Sequence, residues 1–245
     1  MIYKRFLISM FGLLLLSCTS ENNKFNKESF NNKKYSEEQI KLFCDICFRE
    51  SNTLRKWETD INVEIKDIDS LNHSYISDVD SCIAILSPLI KPLKIKIVKS
   101  NGNLTIFFMD RLPPRMRMAF GYCKSNNLWL SSEINNVELD ILKNQPNSKT
   151  LLHEMEHALG LAHPRRKYSY ILNIAGKDSP SIYKTIDEYE EYSKNRYPIS
   201  KQEKEVIKML YGGDFTSGLK RSTFMKSMGL KNDEIWDKKV RNAIY

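Results

Sequence analysis

HEMEHALGLAH, residues 153–163, holds three of the four histidines in this 245-residue chain, at offsets of four and six. The run that contains it, PNSKTLLHEMEHALG (146–160), predicts a helix that starts near Pro146 to Ser148 and stops at Gly160. Proline suits the first helical position, and glycine suits the left-handed residue just past the end. Around such a helix His153 and His157 lie about 400° apart, so both imidazoles face one side, one turn apart. Two nitrogens so placed can take neighbouring corners of a zinc tetrahedron. Gly160 lets the chain leave the helix and turn, which brings His163 toward the same ion from another direction. Glu154 sits about 100° round from His153, placed to hydrogen-bond water at the metal without being a ligand.

Three neutral imidazoles and an open fourth position make the catalytic form of a zinc site. One Zn2+ is therefore the expected cofactor, lowering the pKa of its water to about 7. Glu154 is placed as the general base that takes the water's proton and later hands it to a leaving amine. The eleven-residue pattern HExxHxxGxxH is far more specific than HExxH alone. His73, the fourth histidine, stands alone and reads as a surface or polar-core residue. Glu156 reads as a solvated or supporting carboxylate, and Leu152, Met155, Leu159 and Leu161 read as core.

His153, Glu154, His157, Gly160 and His163 match the zinc signature of the metzincin clan of zinc metallopeptidases position by position. Over residues 55–213 the chain resembles the matrixins of that clan. ISKQEKEVIKMLYGG (199–213) looks like their closing helix, which also ends in Leu-Tyr-Gly. The resemblance implies an α+β, metzincin-like zincin fold, with a twisted, mostly parallel sheet packed on an active-site helix. It implies an endopeptidase that hydrolyses peptide bonds of a protein or peptide substrate by a zinc-bound water, with Glu154 as base. By the same analogy the edge strand around Ala119-Phe120-Gly121 pairs with an extended substrate backbone. Residues 173–198 would form the far wall of the specificity pocket.

One position departs from the clan. Metzincins set a methionine in a tight turn beneath the metal, but no methionine stands between His163 and Met209. SYILN (169–173) puts Leu172 there, a swap of similar volume that typically costs under about 1.5 kcal/mol in a core. Ile174 stands where astacins and serralysins carry a tyrosine; Tyr168 and Tyr170 are close by. The leucine favours a second reading, a catalytically inactive surface-binding lipoprotein that retains a metallopeptidase fold. The retained Glu154 opposes it, since a site without turnover has no need of that base.

Upstream, INVEIKDI (61–68) alternates like a strand, SDVDSCIAILSPLIK (77–91) reads as a helix ended by Pro88, and LKIKIVKS (93–100) and LTIFFMD (104–110) read as strands. MAFGYC (118–123) and LWLSSE (128–133) complete a predicted order of strand, helix, four strands and histidine-bearing helix. SEEQIKLFCDICFRESNTL (36–54) has helical periodicity after a Ser-x-x-Gln start. A pro-segment there would lack the zinc-blocking cysteine motif of matrixins. After Gly213, GLKRSTFMKSMGL and NDEIWDKKVRNAI read as short amphipathic helices packing on the body.

MIYKRFLISMFGLLLLSC opens with Lys4 and Arg5, then an apolar run, and reads as an export signal. Its Leu-Leu-Ser-Cys end resembles the bacterial lipobox, which implies lipidation of Cys18 and anchorage outside the cytoplasm, at the outer membrane or cell surface rather than the inner membrane. The resulting division is signal 1–17, tether and N-terminal helix 18–54, zinc peptidase domain 55–213 and helical C-terminal extension 214–245. Removal of residues 1–17 takes away two cations and no acid, lowering the formal net charge from +8 to +6. The lysines are spread among acids, so no nucleic-acid module is expected, and the protein is read as a monomer. Cys44, Cys47, Cys82 and Cys123 remain; export permits two disulfides, with pairing left open. Cys44-Asp-Ile-Cys47 has the spacing of a redox or zinc knuckle but reads as structural.

Overall fold

The structure, a computed structural model, describes residues 34–48, 52–112, 120–125, 132–143, 147–163, 194, 197 and 199–230. The described elements are α1 (Glu37–Cys47), β1 (Ile61–Ile65), α2 (His73–Leu86), β2 (Ile95–Val98), β3 (Leu104–Met109), β4 (Gly121–Ser125), β5 (Val137–Leu142), α3 (Asn147–Ala158), α4 (Lys201–Tyr211) and α5 (Arg221–Ser227). The five strands form one sheet in the order β2-β1-β3-β5-β4. β1 runs parallel to β2 and β3, and β3 runs parallel to β5; only the edge strand β4 is antiparallel, to β5. The expected α+β class, with a mostly parallel sheet against the histidine-bearing helix and a small helical C-terminal part, is the one observed.

The strands follow their burial. Val63, Ile65, Ile106, Leu139 and Ile141 are fully or almost fully buried, as parallel strands covered by helices require. α2 and α3 pack on each other, and α3 lies against β4 and β5. α1 begins where its sequence predicts. The Ser36 hydroxyl accepts from the Gln39 amide, and the Gln39 side chain accepts from the Ser36 amide at 2.7 Å. α2 begins at His73, earlier than residue 77, because Asn72 caps it by accepting from the Ser74 amide. It ends at Leu86, and Pro88 falls within a short 3-10 turn, Ser87–Leu89.

The last strand before α3 is a correction. The sequence reading placed it at 128–133, but it is β5, Val137–Leu142. Residues 128–131 lie outside the described set, and Glu133 makes only an isolated bridge with Lys56. Glu138 and Asp140 make VELDIL look polar. Its other face, Val137, Leu139 and Ile141, is fully buried, and Lys124 of β4 neutralises the buried Asp140 carboxylate at 2.6 Å.

Cys44, Cys47, Cys82 and Cys123 are free thiols, so the two bridges that the count allowed do not form. The first three are buried and fill the core as small apolar groups; Cys44 Sγ lies 3.3 Å from Met225 Sδ of α5. Phe43 and Phe48, at α1 and its end, meet Phe215 and Phe224, with centroids 5.3 Å apart for Phe43–Phe215, Phe43–Phe224 and Phe48–Phe224. The two ends of the described chain thus share one aromatic cluster. The expected export signal, Cys18, Leu172, Ile174, Tyr168, Tyr170 and the expected second C-terminal helix lie outside the described residues. Among those described, no helix is long and apolar enough to cross a membrane.

If α1 is part of the core, Phe43→Ala will lower unfolding stability by about 3–5 kcal/mol, the usual loss for a buried phenylalanine. Denaturant titration checks this; a loss below about 1 kcal/mol would show that α1 is not load-carrying packing.

Candidate metal centre

α3 buries Leu151, Leu152, Met155, Ala158 and Leu159 and leaves His153 and His157 half-exposed on another side. The helix then closes in a Schellman turn. The Gly160 amide donates to the His157 carbonyl at 2.9 Å, and the Leu161 amide donates to the Glu156 carbonyl at 3.2 Å. Gly160 has φ of +98°, and a Cβ there would stand 2.3 Å from the Arg55 carbonyl oxygen. Only glycine fits this position without strain. The turn sends the chain back past the helix end and delivers His163.

The outcome is a triangle of nitrogens. His153 Nε2 lies 3.1 Å from His157 Nε2, His157 Nε2 lies 2.9 Å from His163 Nε2, and His163 Nε2 lies 3.2 Å from His153 Nε2. A tetrahedral ion with imidazole nitrogens at 2.0–2.1 Å would set an edge of about 3.3 Å, so the group fits such an ion. His157 Nδ1 is 2.6 Å from the Leu161 carbonyl oxygen, which can only accept. Nδ1 therefore carries the proton, and the lone pair of His157 sits on Nε2, facing the other two rings. Burial first, then the neighbouring His157 and His163, push the His153 pKa down to about 2, so that ring is neutral. Three histidines that could hold a metal ion are thus brought together as the sequence predicts. His73, by contrast, is an exposed residue at the start of α2.

Glu154 points toward β4. A Cβ on Gly121 would lie 2.7 Å from Glu154 Cγ and 2.9 Å from its Oε1, so the absent side chain at 121 makes room for this carboxylate. Burial pushes the Glu154 pKa up to about 8. Of the two readings of Glu156, solvated or supporting, burial excludes the first: it lies 1% exposed beside Glu203 of α4, itself fully buried. Burial, then the Glu203 charge, push the Glu156 carboxyl well above the ordinary range.

Sequence reasoning passed over the residues that hold the turn. Trp57 Nε1 donates to the Ala158 carbonyl at 2.8 Å, and the Tyr211 hydroxyl donates to the Leu159 carbonyl at 2.8 Å. The Ala162 amide donates to the Ile46 carbonyl of α1 at 3.1 Å. No short-range pattern marks these partners; the Leu-Tyr-Gly at the end of α4 was the one available signal. No protein-family model matches the chain, and no curated protein matches it in sequence.

The titrations give a pH prediction for the metal-free protein. His153, with its pKa lowered from 6.5 to about 2, loses stability as pH falls below 6.5, because the unfolded ring binds a proton that the folded ring refuses. Glu154, raised from 4.5 to about 8, loses stability as pH rises from 4.5 toward 8, because the folded carboxyl keeps a proton that the unfolded one releases. The two slopes oppose each other between 4.5 and 6.5, so stability should peak there and decline on both sides. Glu154→Gln should flatten the alkaline decline, as read by denaturant midpoints across pH; an unaltered decline would show that Glu154 does not cause it.

Proposed function

We propose that this protein is a zinc-dependent endopeptidase of metzincin type, lipid-anchored through Cys18 outside the cytoplasm of a bacterium. The observation that carries this reading is the convergence of three imidazole Nε2 atoms within 3.2 Å of one another, two on a helix and one just past its end, with Glu154 of that helix against the edge strand. His153, His157 and His163 would hold the ion. When bound, zinc supplies Lewis acidity to water and to the scissile carbonyl.

The chain's own residues do the rest. Glu154 takes a proton from the attacking water and passes it to the departing amine. In the metal-free protein burial raises the pKa of this carboxyl to about 8, so it holds a proton more readily than an exposed glutamate. β4 ends the sheet, so its outer edge offers backbone groups to an extended peptide. Phe120, just before it, is a large apolar side chain left half-exposed, suited to contact with a substrate side chain. His157, with its Nδ1 proton directed at the Leu161 carbonyl, carries its lone pair on Nε2, on the side of the other two imidazoles.

The purified protein should contain about one zinc per chain, and Glu154→Ala should keep the metal yet cleave a peptide substrate at least about 10³-fold more slowly. Equal cleavage by the two proteins would overturn the role of Glu154, and metal with no cleavage of unstructured protein by either would favour the inactive binding protein. For the anchor, Cys18→Ser should move the protein from the membrane fraction to the soluble one. Retention in the membrane fraction would refute lipidation there.

A further inference from the structure

His153 and His157 inherit their positions from the helix, but His163 does not. It is exposed, and it is joined to Ala158, the last residue of the helix, only by the four residues from Leu159 to Ala162. The Schellman turn gives that segment a direction. It does not by itself place the third imidazole within 3.2 Å of the other two.

Three contacts from distant parts of the chain fix the segment. Trp57, fully buried ahead of β1, donates from Nε1 to the Ala158 carbonyl at 2.8 Å. Tyr211, the last residue of α4 and 2% exposed, donates from its hydroxyl to the Leu159 carbonyl at 2.8 Å. These carbonyls belong to the last turn of α3, whose acceptors lack partners within the helix. The Ile46 carbonyl, near the end of α1, receives the Ala162 amide at 3.1 Å, one residue before the ligand. The Trp57 amide also lies 3.5 Å from the Tyr211 oxygen, so the two aromatic residues act as one unit. Burial pushes the Tyr211 phenol pKa up, which keeps it a donor.

We infer that Trp57, Tyr211 and the Ile46 carbonyl are the positioning groups for His163, clamping residues 158–162 so that the third imidazole meets the first two. The inference rests on reading the three histidines as metal ligands. It makes α1 part of the support of the site rather than a removable cover. Processing before Ser36 would leave the clamp intact, whereas removal through Phe48 would take away one of its three arms.

Tyr211→Phe removes only the donor, whereas Trp57→Phe removes the indole donor together with one ring of buried volume, so Tyr211→Phe is the cleaner of the two variants. Zinc affinity, by chelator competition on the full chain, should fall about 10-fold in each, the scale known for groups that orient a ligand. A double-mutant cycle separates positioning from general loosening. The fall should vanish when His163 is already alanine and persist when His153 is. An undiminished fall in the His163→Ala background, or no fall at all, overturns the assignment. Hydrogen exchange on the metal-free protein decides independently. Exchange over 158–163 should speed up in both variants while β3 and β5 stay unchanged, and unchanged exchange over 158–163 overturns the assignment. Should the unsubstituted protein bind no zinc, the metal-site reading fails by itself, and the exchange result still decides the clamp.

Discussion

The approach of Gly160 to the Arg55 carbonyl is the constraint on which the site depends. A helix holds residues four apart on one side without help, so His153 and His157 need nothing beyond α3. The third nitrogen must come from chain that has left the helix, reversed and returned within six residues. That path runs through positive φ and beneath a backbone oxygen that leaves no space for a side chain. The hydrogen bonds of the Schellman turn stabilise the reversal, and the packing of Trp57 and Tyr211 around it makes one geometry available rather than several. Removing the freedom of a short segment in advance spares a bound ion that ordering entropy.

Much of this centre was legible in the sequence because its determinants are local. The offset of four, the glycine and the offset of six act within eleven residues, where periodicity and backbone stereochemistry decide the outcome. The clamp was not legible, since Trp57 and Tyr211 stand 101 and 52 residues from the carbonyls they bind. The interior strand β5 escaped for a different reason. Its apolar alternation is interrupted by Glu138 and Asp140, and only the neighbouring Lys124 makes Asp140 tolerable in a buried place. For Glu156 the sequence left open a solvated or a supporting role, because a glutamate on a helix usually faces water. Here α4 covers it and sets a second carboxylate beside it.

The cysteines show how composition can mislead. Four thiols in a chain read as exported suit a disulfide framework, yet they are spread over α1, α2 and β4, and three of them serve as buried packing. A domain of this size has enough apolar core to stand without bridges. The aromatic cluster of Phe43, Phe48, Phe215 and Phe224 ties the two ends of the described chain together in their place.

That tie also sets a length. Lys34 and Tyr35 both reach Asp214, with Lys34 Nζ and the Tyr35 hydroxyl each 2.8 Å from its carboxylate, so the chain is tied to the body at residue 34. Sixteen peptide steps separate that point from Cys18, a contour of at most about 55 Å. Fatty acyl groups on Cys18 would therefore leash the body within that radius of the bilayer, and its hunting ground would be a thin layer of envelope rather than the open medium.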